Sequence, residues 1–70
     1  MSKENLTFEQ EIKKMTDKEK LNLKGIDYGQ RGNYSKAILC FERALEIDSK
    51  YSDAWSNLGF AKSIVGQIDE

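Results

Sequence analysis

Residues 55–59 read Trp-Ser-Asn-Leu-Gly, and residues 21–25 read Leu-Asn-Leu-Lys-Gly, with a glycine in the matching place. Four pairs of residues along the chain are each separated by 34 positions: Gly25 and Gly59, Gly32 and Gly66, Leu21 and Trp55, and Tyr34 and Ile68. A fixed period of this length is typical of an architecture that repeats one supersecondary unit. The sequence therefore predicts a repeat protein, with one copy near residues 18–51 and the start of another at residue 52.

Apolar residues recur at spacings of three and four positions, as in Phe8, Ile12 and Met15, and this spacing predicts helices. No stretch of strand length alternates apolar and polar residues with β-branched enrichment. The fold class is therefore predicted to be all-α. We expect four helices, at about 7–15, 17–30, 34–47 and 52–65.

Polar residues and glycines predict where these helices begin and end. Thr7 and Thr16 each start a capping-box sequence, which favours a helix start. Gly66 is expected to end the fourth helix, and residues 67–70 to begin a fifth. The end of the second helix is expected at residues that tolerate a left-handed backbone: Gly29, Gly32 and Asn33.

Two helix faces can be assigned from the spacing. The fourth helix is expected to turn one set of side chains inward: Ala54, Trp55, Leu58, Ala61 and Val65. In the third helix, Glu42, Arg43 and Glu46 are expected to face water. These charged residues are read as a solvated surface and not as a catalytic group.

The composition sets limits on the class of protein. Seventy residues allow one domain of marginal stability. With 39% hydrophobic and 33% charged residues, the chain is too apolar for a disordered tail and too charged for a membrane span. The formal net charge is −1 and no basic block occurs, which argues against a nucleic-acid partner. A polar stretch follows Met1, so we expect a cytoplasmic protein.

The side chains that usually carry chemistry are scarce. The chain has no histidine and a single cysteine, Cys40, which lies between apolar neighbours on a predicted helix. A lone thiol allows no internal disulfide, and the sequence offers no base for a nucleophile and no metal-ligand cluster. We therefore expect no enzyme activity, no metal and no cofactor.

Two motifs carry a family resemblance. Trp55, Leu58 and Gly59 have the spacing W-x2-L-G, and Ala37 and Phe41 have the spacing A-x3-F. These spacings resemble the tetratricopeptide repeat (TPR), whose 34-residue pattern is W-x2-L-G-x2-Y, then A-x3-F, then proline. The resemblance covers residues 18–70, and Ala44-Leu45-Glu46-Ile47-Asp48 is similar to the usual end of a repeat.

The chain departs from the family pattern at a few positions. In the earlier copy Gly25 and Tyr28 match, while Leu21 replaces the tryptophan. In the later copy Lys62 stands where the tyrosine belongs, which weakens packing there. Ser49 stands where proline is common, which loosens the turn.

The resemblance implies antiparallel helix hairpins of TPR type, a fragment of an α-solenoid with an extra N-terminal helix. Residues 1–16 would be an arm and short helix, 18–51 a complete repeat, and 52–70 the first helix of a truncated second repeat. Small residues would let the helices approach and large ones would fill the space between hairpins, Trp55 among them. The predicted structural set is Leu21, Gly25, Tyr28, Gly32, Ala37, Phe41, Ala44, Trp55, Leu58 and Gly59.

The resemblance also implies a function, because TPR proteins receive a partner's peptide or helix in a concave groove lined by the first helix of each repeat. Ile26 and Phe60 hold equivalent places, each just after the repeat's glycine, and favour a groove for apolar side chains. A carboxylate clamp is not expected, since Asn22 and Ile26 stand where it needs a basic residue and an asparagine. The full set implied for the groove is Glu19, Asn22, Leu23, Ile26, Asp53, Ser56, Asn57, Phe60 and Ile64.

One repeat and a half leaves an apolar face without a neighbour. Phe8, Ile12 and Met15 could cover one end of the repeat, or a second copy could cover the open face of residues 52–66. Ile26 and Phe60 could equally cover the N-terminal helix or another copy. Two functions follow: a module that binds a protein or peptide partner in its groove, or a structural unit that assembles with copies of itself.

Overall fold

The computed structural model describes residues 3–69, with side chains described for residues 7–67. Four α-helices follow one another: α1 (Lys3–Lys14), α2 (Lys18–Gln30), α3 (Tyr34–Ile47) and α4 (Ser52–Asp69). Every element in this part of the chain is a helix, so the all-α prediction is confirmed. The bounds predicted for the third helix are confirmed as well.

The helix starts follow local capping, with two corrections. Asp17, and not Thr16, is the N-cap of α2, and its carboxylate accepts from the backbone N–H groups of Glu19 and Lys20 at 3.0 and 3.2 Å. Asn33 caps α3 by accepting from Lys36 N–H at 3.3 Å. The predicted start at Thr7 is wrong, because α1 begins at Lys3 and Thr7 lies inside it.

A glycine turn separates α2 from α3. Gly32 has a φ of +81°, a conformation that favours glycine. The N–H of Asn33 donates to Tyr28 O at 2.8 Å, and that of Gly32 donates to Gly29 O at 3.0 Å. These paired bonds satisfy the last carbonyls of α2 and reverse the chain. Gly29 itself lies within α2 and does not end it.

The hairpin of α2 and α3 is closely packed at Gly25. A Cβ built at this position would lie 2.5 Å from Cε1 of Phe41, so only glycine leaves room for the ring. Leu21, Ala37 and Ala44 are fully buried beside this contact. At the other end of the hairpin, Lys18 forms an ion pair and hydrogen bond with Asp48.

Helix α1 covers one side of this hairpin. Phe8 and Ile12 are buried, and the Phe8 ring meets the Tyr28 ring edge-on at a centroid distance of 5.3 Å. The predicted cover by Phe8, Ile12 and Met15 is thus seen, with Met15 half-buried. Arg43 fixes the end of α1, because its guanidinium donates to three carbonyl oxygens: Ile12 O at 3.1 Å, Lys13 O at 2.9 Å and Met15 O at 3.1 Å.

The prediction that Arg43 faces water is therefore wrong. The carbonyl groups that it contacts lie 28 to 31 positions away along the chain, so helical spacing within α3 gives no sign of them. The last carbonyl groups of a helix have no hydrogen-bond donor within the helix itself. A guanidinium can donate to several of them at once.

Helix α4 packs on α3 through one face and leaves another open. Ala54, Leu58 and Ala61 are buried against α3, as predicted, while Val65 is only half-buried. The prediction that Trp55 faces inward is wrong: its side chain is 54% exposed, because no described helix packs over that side of α4.

The glycines of α4 correct two further expectations. A Cβ built at Gly59 would meet nothing within 4 Å, in contrast to Gly25, so no helix approaches there. Gly66 does not end α4, which continues to Asp69 instead of giving way to a fifth helix. A glycine inside a helix costs about 1 kcal/mol and ends it only where the backbone turns left-handed. Glu70 lies outside the described residues.

Candidate peptide-binding cleft

A cleft of about 370 Å³ opens between α2, α3 and α4. Its volume is within the range of ligand pockets, so it can take bulky side chains of a bound segment. No charged side chain lines it. The lining residues are Gly25, Ile26, Gly29, Gln30, Tyr34, Ala37, Phe41, Asn57, Phe60 and Ala61.

The walls of the cleft come from two helices that are not neighbours in sequence. Ile26 of α2 lies on one side and Phe60 of α4 on the other, with Ala37 and Phe41 of α3 between them. Phe60 is 64% exposed beside the cleft, so a molecule that enters the cleft would cover apolar surface there. Gly29 has no side chain and so adds only backbone to the lining.

An amide pair joins α2 to α4 beside the cleft. Asn57 Nδ2 donates to Asn22 Oδ1 at 2.9 Å. Asn22 is only 7% exposed, so this bond satisfies a buried polar group and fixes the distance between the two helices. The two asparagines are one period and one residue apart, which explains how a repeat places them face to face.

The structure brings some of the predicted groove residues together. Ile26, Asn57 and Phe60 line the cleft, and Asn22 adjoins it through Asn57. Several others do not line it: Glu19, Leu23, Asp53 and Ser56 are exposed elsewhere on α2 and α4, and Ile64 is half-buried farther along α4.

Three lining residues were missed at the sequence level. Gln30 follows Ile26 by four positions, and this helical spacing could have identified it. Gly29 was assigned to a helix end, which hid its place in the lining. Tyr34 begins α3 and reaches the cleft only because the turn at Gly32 folds α3 back onto α2.

Comparisons with known proteins agree with this architecture. A sequence model described as TPR repeat matches residues 25–63. The chain belongs to the TPR repeat family. TPR repeats generally mediate protein–protein interaction, and the family is typically a non-catalytic scaffold.

A relative from Methanocaldococcus jannaschii, described as an uncharacterized protein, is 38% identical over 47 residues. The match covers 67% of this chain and 55% of the relative, so the chain spans about half the length of the curated relative it matches. No solved structure matches the chain.

The N-terminal helix of this TPR chain leaves the cleft open. Phe8 packs on Tyr28, which does not line the cleft, and none of the side chains described for α1 lines it either. The described side chains of α1 therefore leave the cleft beside Ile26 and Phe60 unfilled. Their apolar side chains remain available to another molecule.

The single thiol of the sequence does not line the cleft. Cys40 is fully buried, and burial raises the pKa of its thiol to about 11. Such a thiol stays protonated near neutral pH and does not act as a nucleophile. Among residues 3–69, no cluster of side chains suited to a metal ion occurs. In the same part of the chain, no helix is long and apolar enough to span a bilayer.

Proposed function

We propose that the chain is a protein-interaction module that binds a peptide or helix of a partner protein in the cleft between α2, α3 and α4. The observation that carries this proposal is the exposure of Phe60, 64% of whose surface lies open beside an uncharged cleft. A buried apolar anchor of the partner would cover this surface and gain about 25 cal/mol for each Å² removed from water.

The chemistry of the cleft supports an anchor side chain that is apolar and large. Ile26, Phe60 and the Phe41 ring offer apolar contact, and the lining holds no charge that would favour an ionic ligand. Asn57 and Gln30 supply amide groups that can hydrogen-bond the partner's backbone. The predicted site residues farther out, Asp53, Ser56 and Ile64, would meet the flanks of the partner.

The repeat boundaries form part of the proposal. We assign residues 18–51 to one complete repeat, 52–70 to the first helix of a second, truncated repeat, and 1–16 to an N-terminal arm and short helix. The equivalent glycines support this division, since Gly25 and Gly59 hold the same position within α2 and α4, counted from the first residue of each helix.

A binding role, without catalysis, fits the side chains that are present. The sequence has no histidine, and its one thiol is buried with a raised pKa. A cytoplasmic location is also proposed, because a single free thiol suits a reducing compartment. The formal net charge of −1 favours a protein partner over a nucleic acid.

The test uses peptides selected on the wild-type chain from a phage-displayed library of random short sequences. The best peptide is labelled with a fluorophore, and its Kd is measured by anisotropy for wild type and for Phe60→Glu. We expect Phe60→Glu to raise Kd at least about tenfold, because a carboxylate replaces the apolar contact. The selected peptides should share a large apolar residue.

Leu23→Glu is the matched control, since Leu23 is also 64% exposed but lies outside the cleft lining. Its Kd should stay within about twofold of wild type. Equal losses in both variants, or a library that enriches no sequence, would contradict the cleft as the binding site. Phe60→Glu should also leave the molecular mass in solution unchanged; a loss of oligomer without a loss of peptide binding would favour self-assembly instead.

A further inference from the structure

A second surface, separate from the cleft, lies where α3 and α4 run side by side without cover from the other described side chains. We call it the open face; its residues enclose a shallow depression of about 330 Å³ and are Glu42, Leu45, Glu46, Trp55, Leu58 and Lys62. None of them lines the peptide cleft. Whatever covers this face therefore leaves the cleft free.

The centre of the open face is apolar. Leu45 and Leu58 form its floor, and Trp55 rises beside them with 54% of its surface exposed. The indole is held in place, because Trp55 Nε1 donates to Ser49 O at 2.7 Å. A fixed aromatic ring over a leucine floor is the kind of anchor found at the centre of protein interfaces.

The charges of the open face are paired across the two helices. Lys62 Nζ of α4 lies 3.9 Å from Glu42 Oε2 of α3, at the opposite end of the face from Trp55. Glu46 is already engaged by Arg43 Nη1 at 3.1 Å. Apart from Glu46, whose carboxylate is paired with Arg43, the face carries one acid and one base at the same height along two antiparallel helices, so this part of it is complementary to itself.

We propose that the open face binds the open face of a second copy of this chain, forming a two-fold symmetric dimer. An isologous interface needs a patch whose features match themselves after rotation. Here a two-fold axis parallel to α3 and α4 sets α4 of one copy on α3 of the other. Lys62 then faces the second copy's Glu42, twice, and Leu58 faces its Leu45.

The charges choose this arrangement over the other two-fold solution. An axis across the helices would place α3 on α3 and bring the Glu42 end of one copy toward the Glu46 region of the other. Acidic side chains would then oppose each other, which is unfavourable in an interface. With the axis along the helices, Lys62 and Glu42 of both copies form a group of four charges. Each charge in this group lies next to charges of the opposite sign.

The test is a charge-swap experiment on the full chain. The wild-type mass is measured by sedimentation velocity from about 10 µM to about 1 mM, the range in which so small an interface should associate. We expect the mass to double across this range and the Trp55 emission to shift to shorter wavelength. Glu42→Lys and Lys62→Glu should each raise the dimer Kd at least about tenfold, because each places like charges opposite each other.

The decisive sample is the equimolar mixture of Glu42→Lys with Lys62→Glu. At positions 42 and 62, the open face of one variant carries two bases and that of the other carries two acids. In the mixture a heterodimer of twice the chain mass should therefore form, although neither variant dimerises alone. Glu11→Lys and Lys20→Glu carry the same charge changes on exposed positions of α1 and α2, and their mixture is the control. Circular dichroism of each variant checks that all remain folded.

A wild-type mass that stays that of one chain up to the highest concentration would overturn the proposal. So would a mixture that associates no better than its two components, or a control mixture that associates equally well. Because Phe60 lies outside the open face, Phe60→Glu should dimerise as wild type does. Failure of the dimer and failure of peptide binding are therefore separate results.

Discussion

The two sides of the α2–α3 hairpin differ in how they are covered. Helix α1 covers one side, whereas α4 packs on the other side and leaves the open face beside it. On the covered side Phe8 is buried, and Arg43 closes the helix end with three hydrogen bonds to carbonyl oxygens. On the open side the largest aromatic residue, Trp55, is more than half exposed. Both sides carry similar residue types, so exposure depends on whether a neighbouring helix is present.

This difference shows how a repeat protein distributes its stability. Each hairpin buries one apolar face by itself and needs a neighbour for the other. The N-terminal helix supplies that neighbour on one side with only a few contacts, an aromatic pair and a guanidinium. On the open side the same need is unmet within the described residues, and the apolar surface there is available for association.

The largest expected effect separates two aromatic residues. Phe8→Ala should lower the free energy of unfolding by about 3 kcal/mol, because it empties a buried site and releases α1. Trp55→Ala, measured in dilute solution, should change it by less than about 1 kcal/mol, because the ring is half in water already. Urea denaturation followed by circular dichroism measures both; equal losses would contradict the difference between the two sides.

The next effect compares equivalent glycines of the two copies. Gly25→Ala should destabilise by about 1–3 kcal/mol, because its methyl group would overlap the Phe41 ring. Gly59→Ala should stabilise by about 1 kcal/mol, because alanine favours a helix and nothing lies within 4 Å of its Cβ. The two substitutions are chemically identical, so any difference between them reports the packing around each glycine. We expect changes of opposite sign in the free energy of unfolding, measured by urea denaturation. Two changes of the same sign would show that both sides are packed alike.

A third effect isolates the end of α1. Arg43→Met keeps most of the stem and removes the donors to Ile12, Lys13 and Met15, so we expect a loss of about 1–3 kcal/mol. Faster hydrogen exchange should be confined to α1. Arg31→Met is the control, since Arg31 makes only an exposed pair with Asp27. Exchange that quickens evenly over all four helices would contradict the role given to Arg43.

The sequence was enough to predict the repeat and much of its packing. The 34-residue period and the spacing of Ala37, Phe41 and Ala44 are local patterns, and α3 has the predicted bounds. The same patterns placed Ile26 and Phe60 on equivalent positions, and both line one cleft.

What the sequence did not predict depends on the neighbours of each helix. Trp55 has the position of a packing residue in its family pattern, but its burial requires a helix that does not pack there. The contacts of Arg43 join residues about 30 positions apart, and no spacing rule within one helix reveals them. The sequence predicts a helix end at Gly66, but α4 continues to Asp69, because composition alone does not show whether the backbone turns left-handed.

The smallest expected effect concerns pH. The hydrogen bond from Lys18 holds the pKa of the Asp48 carboxyl below its ordinary value of 3.8, so its contribution is present above that pH and is lost as the pH falls further. The hydrogen bond to Asp48 raises the pKa of Lys18 above 10.5, so its contribution is lost only as the pH rises past that value. Both side chains are about one-third exposed, which keeps the effect small.

Asp48→Asn should remove both dependences while leaving stability near neutral pH almost unchanged. Thermal denaturation of wild type and Asp48→Asn, compared from acid to alkaline pH, measures this. A wild-type curve that stays parallel to that of the variant at both extremes would contradict the pairing.

The account depends most on where a partner binds, and chemical-shift mapping tests this directly. The chain, labelled with nitrogen-15, is titrated with the peptide selected on wild type, and the backbone amide shifts are followed by NMR. We predict that the largest changes occur at the residues of α2 and α4 that line the cleft, which are Gly25, Ile26, Gly29, Gln30, Asn57, Phe60 and Ala61. Changes centred on Trp55 and Lys62 of the open face, or on Phe8 of α1, would contradict the cleft as the binding site.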